Sequence, residues 1–134
     1  MLADRLRDER PLVPKSPYRI GIPISTSNEI PGWEVTGYVG EVFGLVVQSR
    51  GTFPQIGAQF RSVFGGELTA LTDLLRDTRT QAIERLVKEA ERRGANAVVA
   101  MRFDVTSIGD TTWTEICAYG TAVTAVTATK LADA

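Results

Sequence analysis

Only a handful of side chains in this chain could do chemistry, and the inventory is lopsided: one thiol, Cys117, no imidazole, and scattered carboxylates and guanidiniums. Zinc, copper and similar ions draw most of their affinity from thiolate and imidazole, so one subunit cannot assemble such a site alone. Copies of Cys117 could converge about a symmetry axis, or Glu67, Asp104 and Glu115 could hold a hard cation. Cys117 and Glu115 are thus the metal candidates, although a lone strand cysteine ordinarily serves as a small core residue. Gly65-Gly66 ahead of a helical pattern invites an anion, because free amides at a helix start point outward. Glu67 opposes that reading: a carboxylate in the first turn already complements the helix dipole and repels phosphate. Glu67 therefore caps the helix or pairs with Arg79 or Arg102, and Asp104 beside Arg102 reads as a strand or interface ion pair. These four, Glu67, Arg79, Arg102 and Asp104, are the ligand-binding candidates. No nucleophile can be paired with a base by any spacing logic, so no catalytic residue and no cofactor is assigned.

Composition narrows the partners. The 134 residues carry 15 basic and 16 acidic side chains, a balance that gives nucleic acid or an anionic membrane no electrostatic footprint. A single cysteine forms no internal disulfide, which suits a reducing compartment. No apolar run approaches the roughly 18 residues of a membrane span, and the charged start Met1 to Arg10 lacks an apolar signal core. The expectation is a soluble, cytoplasmic protein without nucleic-acid or membrane partners.

The elements that would position the candidates can be read along the chain. Residues 1–19 mix charges with Pro11, Pro14 and Pro17 and read as an arm. Ile20 to Ile24 alternates around Pro23, which confines it to a sheet edge, and Pro31-Gly32 marks a turn. Val35 to Gln48 is a long strand whose Gly37, Gly40 and Gly44 predict bulges or another backbone close by. Its apolar residues divide by parity into Val35, Val39, Phe43, Leu45 and Val47 on one face and Tyr38, Val42 and Val46 on the other. After Thr52-Phe53-Pro54-Gln55, a capping-box pattern, Ile56, Phe60 and Val63 suggest a short helix. Leu68 to Arg93 is the main helix, with Leu68, Leu71, Leu75, Ala82, Leu86 and Ala90 on one stripe, widened by Ile83 and Val87. The pattern thins between Arg76 and Gln81, but without internal proline or glycine the helix should be continuous.

Gly94-Ala95-Asn96-Ala97 ends that helix and runs straight into a strand from Val98 to Thr106. A turn at Ser107 to Asp110 leads to a third strand, with Trp113, Glu115, Cys117, Tyr119, Thr121 and Val123 on one face and Ile116, Ala118, Gly120 and Ala122 on the other. The small face should lie beneath the helix. The reading is an α+β, two-layer βαββ subunit: one main helix on a three-stranded mixed sheet over residues 20–126, with a tail at 127–134. A right-handed crossover sets strands one and two parallel, and the short turn returns strand three antiparallel. One helix covers one sheet face only, so the other leaves an apolar patch that self-association would bury.

Taken in order, Thr26 before Ile30-Pro31-Gly32, Gly37 with Gly40, Arg50, Gly65-Gly66-Glu67, Arg79 with Ala82, Gly94-Ala95-Asn96-Ala97, Arg102-Phe103-Asp104 and Ala118-Tyr119-Gly120-Thr121-Ala122-Val123 resemble the YbjQ-like family. Members of that family are often labelled heavy-metal-binding and are otherwise uncharacterised. Leu71 stands where members often carry tyrosine, and the arm before Ile20 is longer than usual. The resemblance implies a βαββ subunit assembled as a ring-like homopentamer, with short extra strands joining neighbours. The functional expectation is a non-enzymatic, homo-oligomeric binding or scaffold protein whose small-molecule or metal ligand the sequence does not name. The alternatives are a metal-binding protein with an intersubunit site and an enzyme using Glu67, Arg79 or Asp104.

Overall fold

The computed structural model describes residues 21–49, 69–108 and 113–128. Within them the order is β1 (Trp33–Ser49), α1 (Thr69–Arg92), β2 (Ala97–Ile108) and β3 (Trp113–Thr127). This is the expected α+β subunit, one helix on a three-stranded sheet, but the three strands pair only antiparallel rather than as the expected mixed sheet, because β3 enters between the other two. The arm, the short helix after Thr52, the Gly65-Gly66-Glu67 segment and the tail beyond residue 128 lie outside the described residues.

The joint between helix and strand shows why four small residues suffice to turn the chain. Gly94, at φ 86°, takes the left-handed position that side chains resist. Its amide donates to Glu91 O and that of Ala95 to Ala90 O, both at 3.0 Å, the paired bonds that satisfy the last helical carbonyls. Ala95 turns into the core, while the Asn96 amide grips Ala125 from both sides: Nδ2 donates to its carbonyl at 2.8 Å and Oδ1 accepts from its N–H at 2.7 Å. Strand β2 therefore starts already registered on β3.

The sheet order is β1-β3-β2. Strands β1 and β2 run in the same direction, as the crossover requires, but each pairs antiparallel with β3, which lies between them. The parallel component is the short segment around Ile24, bridged to Val98 on the outer edge of β2. There Pro23, which has no N–H to offer a ladder, contributes its carbonyl to Val98 N at 3.0 Å. Ser25 N donates to Val98 O at 2.9 Å and Met101 N to Ser25 O at 3.0 Å.

On the covered face, Ala82, Ile83, Leu86, Val87 and Ala90 of α1 pack on Val42, Val46, Val98, Ile116, Ala118 and Ala122. Full burial of a side chain such as Leu86 or Ile116 is worth about 1.5–3 kcal/mol. The small residues of β3 do lie beneath the helix. At Gly44 the helix touches the strand backbone itself, since a Cβ there would stand 1.9 Å from Ala82 O and 2.5 Å from Leu86 N. The helix is continuous over its 24 residues. Thr78 fills the thin part of its stripe: it is buried, with its hydroxyl donating to Leu74 O at 2.8 Å. Leu75, expected on the buried stripe, is instead 40% exposed.

Bulges alter the expected parity of β1. The register slips between Val35 and Gly37 and again between Tyr38 and Gly40, so Val39 packs against the helix-side core while Tyr38 pairs with Val123 and stays exposed. A third bulge, between Val99 and Arg102, holds Ala100 at φ 54°. On the sheet face away from the helix, a second small core closes one end: Ile30 and Trp33 cover Ala97, Val99, Val123 and Ala125. The other end of that face has no cover among the described residues.

Candidate functional site

Three cross-strand rows form that open end. Residues directly opposite one another in a ladder share a face, so Phe43, Tyr119 and Arg102 make one row, Leu45, Cys117 and Asp104 the next, and Val47, Glu115 and Thr106 the third. Phe43, Leu45, Val47 and Tyr119 are 53%, 47%, 53% and 39% exposed. Glu41 follows in register on the same face. The structure thus brings Cys117, Asp104 and Glu115 onto one surface. Burial, then the nearby Glu115 and Asp104 carboxylates, push the Cys117 thiol above its ordinary value, which favours the protonated form over the thiolate that binds metal or attacks an electrophile. The thiol lies 3.7 Å from Ala118 O. Among the described residues, no three Cys, Asp or Glu side chains are grouped closely enough to hold a metal ion.

Arg102 does not form the expected strand ion pair with Asp104. Its Nη1 donates to the carbonyls of Thr26 and, at 2.9 Å, Met101, tying the loop ahead of Ile30 to the bulge in β2. Arg79 lies on the other side of the sheet from Asp104. Its guanidinium carbon is 5.0 Å from the centroid of the Phe103 ring, and Phe103 pairs with Ala118 on the covered face. Glu67 lies outside the described residues, so of the ligand-binding candidates Arg79 stands on one face while Arg102 and Asp104 stand on the other.

The stacked Arg79 marks a groove that single-residue reading misses. Because α1 rests over β1 and β3, the outer part of β2 is left uncovered, and Thr72, Leu75, Arg76, Arg79 and Thr80 of the helix face Phe103, Val105 and Ile116 across about 480 Å³. Its floor is apolar, with Val105 51% exposed, and its rim carries two guanidiniums. Arg76 also stands 3.8 Å from Asp73, both well exposed. The signal lay in the i,i+3 spacing of Arg76 and Arg79 beside the exposed Leu75.

A second pair of arginines closes the outer edge of β1. Arg85 Nη1 donates to Leu45 O, Arg93 Nη1 to Glu41 O at 2.5 Å and Arg93 Nη2 to Val39 O at 3.2 Å. The match is geometric: eight helical residues rise about 12 Å and four strand residues about 13 Å, so the two guanidiniums meet outward carbonyls four residues apart. Gly40 is part of the device, since a Cβ there would stand 2.7 Å from Arg93 Nη2.

Comparison with known proteins settles the family. The sequence model of the YbjQ family, described as "putative heavy-metal-binding", matches residues 22–126. The chain belongs to the YbjQ family. YbjQ relatives include a UPF0145 protein of Acidothermus cellulolyticus, 57% identical over 99 residues that cover 74% of this chain and 91% of that protein. Another, from Streptomyces griseus, is 58% identical over 99 residues, covering 74% of this chain and 81% of its own. The UPF0145 protein YjfJ of Lactococcus lactis is 45% identical over 100 residues, covering 75% and 91%. Among solved structures, a DUF74-family protein of unknown function from Pediococcus pentosaceus superposes with a TM-score of 0.52 at 12% identity, over 78% of this chain and 97% of that one. At that identity the likeness speaks for the YbjQ fold alone. No helix among the described residues is long and apolar enough to cross a membrane.

Proposed function

We infer that this YbjQ-family protein is a cytoplasmic, homo-oligomeric binding or scaffold protein that performs no catalytic step. It assembles, as the family resemblance implies, into a closed pentamer. The observation that carries this reading is the open sheet face, where Phe43, Leu45, Val47 and Tyr119 stand side by side, half-exposed among the described residues. A contiguous apolar surface of that kind marks an interaction site, and a second copy is the partner that is always present. Size exclusion coupled to light scattering tests it: a single species of five times the 14.6 kDa subunit mass is expected. A monodisperse monomer at micromolar concentration would refute it.

A second reading, heavy-metal binding at an intersubunit site, is favoured by one observation. Cys117, Asp104 and Glu115 share the open face, so an assembly that joined those faces would multiply their donors. The raised thiol pKa and the lack of imidazole work against it. Zinc or copper should therefore bind chelator-treated oligomer with weak, surface-carboxylate affinity. Submicromolar binding in titration calorimetry, lost in Cys117→Ser, would promote the metal reading over the scaffold one.

A further inference from the structure

Two apolar surfaces of the subunit are open among the described residues, and their charges are opposite. The open sheet face sets Phe43, Leu45, Val47 and Tyr119 among the carboxylates Glu41, Asp104 and Glu115. Its guanidinium, Arg102, is already held by the carbonyls of Thr26 and Met101. Among the described residues, the groove beside α1 sets Leu75, Phe103 and Val105 beneath Arg76 and Arg79, and its one neighbouring carboxylate, Asp73, stands 3.8 Å from Arg76 and leaves Arg79 as the net cation. If two open faces met each other, three carboxylates would confront three, and like charges brought together out of water oppose association. A face meeting a groove pairs acid with base over apolar surface on both sides.

Part of each strand edge is already occupied. A long edge strand normally invites strand addition, but the Val39, Glu41 and Leu45 carbonyls of β1 are occupied by Arg93 and Arg85. The start of β2 is likewise covered by the segment around Ile24.

We propose that a second copy docks its open sheet face, led by Phe43, Tyr119, Asp104 and Glu115, onto the groove formed by Arg76, Arg79, Phe103 and Val105. The inference rests on the homo-oligomer reading and names its contact. Because the two surfaces differ, the contact is head-to-tail, and repetition by a rotation that closes makes a ring. Arg79 is the central cation: it is spread over the Phe103 ring, where a carboxylate from the neighbour can reach it without displacing a partner among the described residues.

Charge reversal tests the pairing. Three variants are compared with the parent by light scattering over a dilution series: Arg76→Glu with Arg79→Glu, Asp104→Lys with Glu115→Lys, and all four together. Far-ultraviolet circular dichroism confirms that each retains its helix. Each reversed pair should weaken assembly at least tenfold, and the fourfold variant should recover most of the parent's mass. A parent oligomer whose mass survives reversal of the groove arginines would overturn the docking while leaving the oligomer reading intact. Dissociation of both pairs without recovery in the fourfold variant would refute the face-to-groove match. A monomeric parent would remove the oligomer reading and this contact with it, and groove binding by an acidic, aromatic-bearing peptide would then identify a different partner.

Discussion

The two faces of one sheet obey different rules. On the covered face the fit is so close that a missing side chain is structural: Gly44 lets helix backbone meet strand backbone, and a Cβ added at Gly120 would stand within 3.3 Å of Val98, Val99 and Met101. On the open face the same strands carry large apolar side chains that no second layer covers among the described residues, except where Ile30 and Trp33 fold over. Both faces are apolar, yet only the first specifies the subunit. Hydrophobic pattern alone therefore does not separate the surface that folds the subunit from the one proposed to join subunits; the sizes of the facing residues do.

The sharpest break of that contrast is Gly44→Val, which drives a branched side chain into the Ala82 and Leu86 backbone. A loss of at least about 3 kcal/mol is expected, because main chain cannot rotate out of the way. Urea unfolding should show it, and an unchanged midpoint would mean that the helix stands off the sheet. Next, Leu86→Ala, at a fully buried site, should cost about 2–5 kcal/mol. Leu45→Ala on the open face should change the stability of the dissociated subunit by about 0.5 kcal/mol or less, while lowering the oligomer mass. Equal effects of the two on subunit stability would erase the distinction between the faces.

Gly120→Val should cost about 1–3 kcal/mol by overpacking, since its Cβ would stand 2.9 Å from Val98 Cγ1 and 3.1 Å from Val99 O. Cys117→Ser, one face over, should leave the melting temperature nearly unchanged at neutral pH. The smallest effect is electrostatic. The folded Cys117 thiol titrates above the ordinary value of 9.0, so the folded state holds its proton more tightly than the unfolded chain does. That contribution is complete below pH 9.0 and is lost as pH rises through the folded value. Thermal melts at rising alkaline pH should show a loss in the parent that Cys117→Ser lacks, and parallel curves would place the thiol in open solvent.

Much of the covered face was legible because its determinants are local. Gly94-Ala95-Asn96-Ala97 closes the helix and opens the next strand, and the small residues of β3 follow directly from alternation, whereas the grip of Asn96 on Ala125 spans 29 residues and had no local sign. The glycines of β1 also announced bulges, though not their direction. Two register slips turned Val39 inward and Tyr38 outward, and no single-strand pattern reveals which partner residue a bulge will skip. Thr78 was hidden for another reason: a hydroxyl that returns its hydrogen bond to the preceding turn behaves as an apolar group, although its type reads as polar. The groove was harder still. It exists because the helix sits over β1 and β3 and leaves the outer part of β2 bare, a matter of where one layer lands on another, and Arg79 acquires its place over Phe103 only then.

The contact at Gly44 makes the helix a beam on a fulcrum. From there to Leu75 is about nine residues, or roughly 13 Å along the helix axis, so a tilt of about 10° about that point would move the groove wall by roughly 2 Å. The aperture above Phe103 and Val105 is thus gauged at a distance, by the lack of a side chain on β1, two strands away, and whatever enters there reads a dimension set on the far side of the layer.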